Sequence, residues 1–88
     1  MDYNQITQKI EDIGGNYITI SYLQATEEDD SLYDVFVNVW PNKNMKRNFE
    51  TIVVKTDTSM EKAESISKRL HTSLGRVYDD VHYTGLEA

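Results

Sequence analysis

The amino-acid sequence predicts an α+β fold with the element order α-β-β-β-α-β, in which two helices pack on one face of an antiparallel sheet. Apolar residues recur every three or four positions in residues 3–13 and 60–74, as on one face of a helix, and alternate with polar residues elsewhere. About a quarter of the chain is Ile, Leu, Val or Phe, above the roughly 20% below which highly charged chains stay disordered. We expect residues 1–88 to form a single domain.

The first helix is predicted from Tyr3 to Ile13, because Asp2 can act as its N-cap and Gly14 can end it. From Tyr17 to Leu23 the apolar period changes to two, which predicts a strand with one buried side. Residues 25–31 then predict a loop.

Two further strands are predicted on either side of a turn at residues 41–44. In residues 33–40 the valines face one way, whereas Phe36 and Trp40 face the other. The third strand, from about Arg47 to Thr56, is apolar on both faces, which favours a central position in the sheet.

A second helix and a fourth strand complete the prediction. The run Thr58-Ser59-Met60-Glu61 has the pattern of a capping box, which starts a helix with Thr58 as its cap. One apolar stripe continues to Leu74, and Gly75 ends the helix. Alternation in residues 76–83 predicts the fourth strand, followed by a frayed tail.

The composition restricts the possible partners and the compartment. The formal net charge is −6, so we expect neither nucleic acid nor a membrane as the partner. The chain contains no cysteine, which favours a reducing, cytoplasmic location. The acidic N-terminal segment lacks the apolar run of a signal peptide, and no apolar stretch approaches ~18 residues.

Acidic residues concentrate in the first part of the chain, where residues 1–34 hold eight of them against one lysine. Four are consecutive, in residues 27–30. One interpretation is a solvated loop that keeps the protein soluble. The functional interpretation is an acidic patch that docks on a basic surface, where complementary fields raise the association rate and fix orientation.

Phe36 and Trp40 lie four residues apart in one predicted strand and therefore project to the same side of the sheet. If both helices cover the opposite face, these aromatics mark an association surface. Alternatively, residues 76–88 fold over them, or Trp40 caps the core. The predicted partner-binding residues are Glu27, Glu28, Asp29, Asp30, Asp34, Phe36 and Trp40.

No pattern in the sequence predicts catalysis, a cofactor or a metal. Asp80 and His82 share a strand face, but a metal or catalytic site needs a third convergent group, and His71 is distant in sequence. The acids in residues 27–30 lack the alternating ligands and central glycine of a calcium loop. We therefore expect a protein that is not an enzyme.

The element order over residues 2–74 resembles that of the double-stranded-RNA-binding domain. That family places lysines at the start of its second helix and binds the minor groove through its first helix and the loop between its first two strands. Here the helix start, residues 58–64, contains one lysine, and the loop contains the four consecutive acids. These departures lie where the family binds RNA, so the resemblance implies no function for this chain. The alternative function is nucleic-acid binding through the basic hairpin of residues 43–55, because residues 35–55 hold Lys43, Lys46, Arg47 and Lys55 against Glu50 alone.

The sequence thus favours a small acidic binding protein that inhibits a partner by occupying its basic, nucleic-acid-binding site. Proteins of this size and charge without catalytic motifs are common among inhibitors encoded by phages and mobile elements, such as anti-restriction and anti-CRISPR proteins and nucleic-acid mimics. A toxin-neutralising immunity protein is a further alternative, and the apolar surface could also serve a homodimer.

Overall fold

The computed structural model describes residues 1–41 and 49–87 of the chain. Its elements are α1 (Tyr3–Ile13), β1 (Tyr17–Gln24), β2 (Tyr33–Trp40), β3 (Glu50–Thr58), α2 (Met60–Gly75) and β4 (Asp80–Leu86). The predicted α+β class and the order α-β-β-β-α-β are confirmed. Neither described helix combines the length and the apolar character needed to cross a membrane.

The four strands form one sheet in the order β3-β2-β1-β4. The β1–β2 and β2–β3 pairs are antiparallel, as predicted, whereas β4 pairs with β1 in parallel. The reason is the path of α2, which carries the chain from one edge of the sheet to the other and back to the end where β3 began. The sheet is therefore mostly antiparallel, with one parallel pair that the sequence did not indicate.

Both helices pack on one face of the sheet, as predicted. Ile18 and Ile20 of β1 lie opposite Val39 and Val37 of β2, and Val37 lies opposite Ile52 of β3. These side chains meet the buried residues of both helices, which are Ile6, Ile10, Ala63, Ser67, Leu70 and Leu74. Within residues 1–41 and 49–87, no helix lies on the opposite face of the sheet.

The helix ends follow local hydrogen bonding. At the start of α1, Asp2 Oδ1 accepts from the Gln5 amide at 2.8 Å and Gln5 Oε1 accepts from the Asp2 amide at 2.9 Å. Gly14 ends this helix with a φ of 79°. The cap of α2 is Ser59, not the predicted Thr58, because Thr58 is the buried last residue of β3 and pairs with Tyr33.

Two predicted strands differ from the structure. β3 lies at an edge of the sheet rather than in its centre, and its outward apolar residues belong to the surface described below. β4 begins at Asp80, later than predicted, because the amides of Val77 and Tyr78 both donate to the Leu74 carbonyl and continue the turn that ends α2. The predicted frayed tail is instead part of β4 as far as Leu86.

Candidate functional site

The sheet face that points away from the helices is the candidate site, and we call it the open face. Among residues 1–41 and 49–87, no helix or strand packs over it. Strand alternation and register place on it Tyr17, Thr19, Ser21, Leu23, Asp34, Phe36, Asn38, Trp40, Thr51, Val53, Asp80 and His82. The alternative that residues 76–88 fold over this face is wrong for the described part of that segment, because β4 lies beside β1 at the sheet edge.

Four rings form a continuous row across one end of the open face, and we call it the aromatic row. His82 stacks on Tyr17 with ring centroids 4.7 Å apart. Tyr17 meets Trp40 edge to face at 6.0 Å, and Trp40 packs against Phe49 at 4.4 Å. Phe49 is 45% exposed, and Trp40 and Tyr17 are half-buried. The row therefore presents apolar ring surface to a partner.

Gly15 lies against the backbone of Trp40, one of the residues of the aromatic row. A Cβ atom at this residue would lie 2.5 Å from both the Trp40 carbonyl oxygen and Val39 Cγ1. Only glycine therefore lets the connection from α1 run this close to the end of β2. The close approach lies two residues before Tyr17, which pairs with Trp40.

A polar centre lies beside the aromatic row. Asn38 is buried, and its Oδ1 accepts a hydrogen bond from Thr51 Oγ1 at 2.9 Å. The Asn38 Nδ2 atom donates to Thr19 Oγ1 and Ser21 Oγ, both at 3.5 Å. These bonds join three strands and satisfy groups that would be costly to bury without partners. The centre separates the aromatic row from a second apolar patch.

The second apolar patch consists of Phe36, Val53 and Leu23. Phe36 lies directly opposite Val53 of β3, and Val53 is 45% exposed. Leu23 follows two residues beyond Ser21, the β1 partner of Phe36. Phe36 and Trp40, predicted as the apolar contact, thus share the open face but belong to different parts of it.

The acidic loop, residues 27–30, lies beyond the other end of the β1–β2 hairpin. Glu27, Glu28 and Asp30 are exposed, and Asp29 is half-buried. The Ser31 hydroxyl and amide donate to Asp29 Oδ1 at 2.5 and 2.9 Å. These bonds, the hydroxyl's first, lower the pKa of the Asp29 carboxyl.

The structure does not bring the predicted acidic and apolar residues together as one patch. The loop follows the pair Gln24–Tyr33, whereas Trp40 pairs with Tyr17 at the opposite end of the hairpin. Trp40 lies seven positions after Tyr33 in β2, so the aromatic row and the pair at which the acidic loop begins lie about 23 Å apart at ~3.3 Å per residue. A partner must cover most of the open face to touch both.

Asp34, also predicted to bind a partner, has a structural role. Its Oδ1 accepts a hydrogen bond from the Asp57 amide at 2.9 Å. Asp57 has a φ of 53°, the left-handed region that few non-glycine residues adopt. The β2–β3 register shifts next to this point. Asp34 therefore stabilises an irregular part of β3 and also contributes a carboxylate to the open face.

The described lysines and arginines lie away from the open face. They are on the helices, after α2, or in a groove between the helices and β3: Lys9, Lys55, Lys62, Lys68, Arg69 and Arg76. The open face contains two carboxylates, those of Asp34 and Asp80. Of the predicted basic hairpin, Lys43, Lys46 and Arg47 lie outside the described residues.

Neither histidine belongs to a cluster suited to a metal. His82 Nε2 lies 4.0 Å from Asp80 Oδ1 on the open face. His71 lies on the helix side, with its Nε2 3.3 Å from the Val81 carbonyl oxygen. In the part of the chain that the structure describes, no three His, Asp or Glu side chains converge.

Tyr17, Phe49, Val53 and His82 belong to the site, although sequence reasoning did not assign them to it. The signal for Val53 and Phe49 was the two-sided apolar pattern of β3, which was interpreted as a sign of a central strand. Tyr17 and His82 become neighbours only through the parallel β1–β4 pair. Comparisons with known protein families, with curated proteins and with solved structures find no match to this chain.

Proposed function

We propose that this protein is a small, acidic, non-enzymatic binding module that attaches through its open face to a positively charged surface of a partner protein. The observation that supports this most directly is the aromatic row, which lies on a sheet face with carboxylates and with none of the described lysines or arginines.

The chemistry of the open face favours a cationic partner. The rings of Trp40, Tyr17 and Phe49 offer apolar contact area, and their π faces attract guanidinium and ammonium groups. The exposed acids of the acidic loop extend the same negative potential beyond one end of the face, which speeds encounter with a basic surface.

In this proposal the partner uses its basic surface to bind nucleic acid, and the module inhibits it by occupying that surface. The absence of cysteine favours the cytoplasm as the place of action, because proteins in reducing compartments are stable without disulfides. The inhibitory role is separable from binding, since a captured partner can be assayed for nucleic-acid binding with and without the module.

The first test is an affinity capture from nuclease-treated lysate with three forms of the protein. Wild type and a Val77→Ala control, altered at an exposed apolar residue outside the sheet, should retain the same basic protein. Trp40→Ala should lose it. Equal capture by Trp40→Ala, with its fold confirmed by circular dichroism, would contradict the assignment of the open face.

The acidic loop is tested with the purified partner. Changing Glu27 and Glu28 to Gln and Asp29 and Asp30 to Asn should lower the association rate and flatten its dependence on salt. An unchanged rate would remove the acidic loop from the proposal while leaving the aromatic row in it.

Nucleic-acid binding is the second candidate, because single-stranded nucleic acids stack their bases on aromatic rows of this kind. In this case Lys43, Lys46 and Arg47, which lie between Trp40 and Phe49 in the sequence, would contact the phosphates. A gel shift with single- and double-stranded RNA at low salt distinguishes the candidates. Binding that weakens steeply with salt would favour this one, and no shift would eliminate it.

Self-association through the open face is the alternative within the protein-binding class. Light scattering over a range of protein concentrations tests it. A dimer that Trp40→Ala dissociates would identify the partner as a second copy, whereas a monomer at high concentration would eliminate this alternative.

A further inference from the structure

A groove with a volume of about 460 Å³ lies on the helix side of the molecule, between α1, α2 and β3. Its apolar lining residues are Met1, Tyr3, Ile6, Val54, Ile66 and Leu70. Ile6, Val54 and Leu70 are buried in the core, and Ile66 is half-buried. The apolar surface open to a ligand therefore comes from Ile66 together with Met1 and Tyr3, which are 47% and 37% exposed.

The sequence of α2 explains how the groove combines apolar and charged groups. Ile66, Arg69, Leu70 and Ser73 follow each other at spacings of three, one and three residues, so they form one stripe of the helix. The Tyr3 hydroxyl donates to the Ser73 carbonyl oxygen at 3.0 Å and joins α1 to α2 beside the groove.

The charge of the groove is opposite to that of the whole protein. Lys55 and Arg69 line it, and none of its lining residues is acidic, although the chain has a net charge of −6. Within the described residues, neither cation forms an ion pair, in contrast to the neighbouring Lys68, whose Nζ lies 2.7 Å from Glu64 Oε1. The two charges are available to a ligand.

We propose that this groove binds a single-chain aliphatic carboxylate, that is, a fatty acid anion. The alkyl chain would lie on Met1, Tyr3 and Ile66, and the carboxylate would accept hydrogen bonds from Lys55 and Arg69. Arginine binds carboxylates well because its planar fork can donate two parallel hydrogen bonds. The volume is within the range of small-molecule sites. This inference is independent of the proposed function, which concerns the opposite side of the sheet.

The test is a titration of the 15N-labelled protein with decanoate, followed by amide chemical shifts. We expect saturable shifts in α2 around Ile66 and Leu70 and in β3 around Val54. Two probes separate the contributions: butyrate keeps the carboxylate without the long chain, and decyltrimethylammonium keeps the chain with the opposite charge. Both should bind at least about tenfold more weakly than decanoate.

Variants at exposed residues test the same site without disturbing the core. Lys55→Gln and Arg69→Gln should each weaken decanoate binding about tenfold, the effect of removing one charge-assisted hydrogen bond. Lys62→Gln, on α2 but outside the groove, should leave it unchanged. The proposal is overturned if decanoate does not bind, if decyltrimethylammonium binds equally well, or if the shifts occur on the open face around Tyr17 and Trp40.

Discussion

Gly15 is the residue on which the position of the aromatic row depends. Gly15→Ala would place a Cβ atom 2.5 Å from the Trp40 carbonyl oxygen and from Val39 Cγ1, so the end of β2 must move. We expect the free energy of unfolding to fall by about 1–3 kcal/mol. Urea denaturation followed by Trp40 fluorescence measures the change.

Gly75→Ala is the matched control, because a Cβ atom there meets nothing within 4 Å. At the end of α2, alanine should leave stability unchanged or raise it by up to about 1 kcal/mol. If the two alanine variants were equally stable, the close approach at Gly15 would have no energetic role.

Asp34 provides a second prediction at the level of a single residue. Asp34→Ala removes the acceptor of the Asp57 amide hydrogen bond and should cost about 1–2 kcal/mol of unfolding free energy. For a domain of this size, that corresponds to a fall in Tm of roughly 4–8 °C per kcal/mol. Asp34→Asn keeps an acceptor oxygen and should remain close to wild type in thermal denaturation. A fully stable Asp34→Ala variant would show that the left-handed Asp57 needs no support.

At the level of elements, Tyr78 ties the connection between α2 and β4 to α1. Its hydroxyl donates to Glu11 Oε1 at 2.9 Å, and burial, followed by this bond, raises the pKa of Tyr78 to about 12. Because the pKa in the folded state exceeds the ordinary tyrosine value of 10.0, this contribution to stability is complete below pH 10 and is lost as the pH rises towards 12.

Tyr78→Phe should therefore lower the unfolding free energy near neutral pH by about 1 kcal/mol. The difference from wild type should shrink between about pH 10 and 12, as wild type loses the Tyr78 contribution. Urea denaturation at several pH values measures both effects. A difference that stays constant across this range would exclude titration of Tyr78 as the cause.

The elements also show which parts of the fold a sequence can predict. α1, β1 and β2 followed from local signals, since caps and alternation depend on residues close in sequence. The N-cap of α2 is Ser59 and not the predicted Thr58, because β3 extends through Thr58. Thr58 pairs with Tyr33, which is distant in sequence. The parallel partner of β4 depends on the path of α2 across the sheet, which no local pattern encodes.

For the whole molecule, the separation of the acidic loop from the aromatic row makes a quantitative prediction. The aromatic row and the pair at which the acidic loop begins lie about 23 Å apart, beyond the Debye length of ~8 Å at physiological salt. Trp40→Ala and the four-residue neutralisation of the acidic loop should thus have additive effects on partner affinity, with a coupling below about 0.5 kcal/mol. A double-mutant cycle measures this coupling. A larger value would indicate that one rearrangement links the two ends.

The place of each site residue in the whole fold explains which of them the sequence could identify. Phe36 and Trp40 were found because strand alternation fixes their common face. Their distance from the acidic loop follows from which ends of the hairpin they occupy. Phe49 and Val53 were misinterpreted because an edge strand with a second apolar face has the same pattern as a central one. His82 joined the row only through the β1–β4 pair, which is a property of the complete fold.

The parallel β1–β4 pair also determines when the sheet can be completed during synthesis on the ribosome. β1 gains β2 as a neighbour soon after both are synthesised, but its other edge stays unpaired until β4, a strand of seven residues, is released. Until then, a strand containing Ile18 and Ile20 offers free amides and carbonyls to any other nascent chain. Premature termination before Asp80 should accordingly yield aggregates rather than a smaller folded protein.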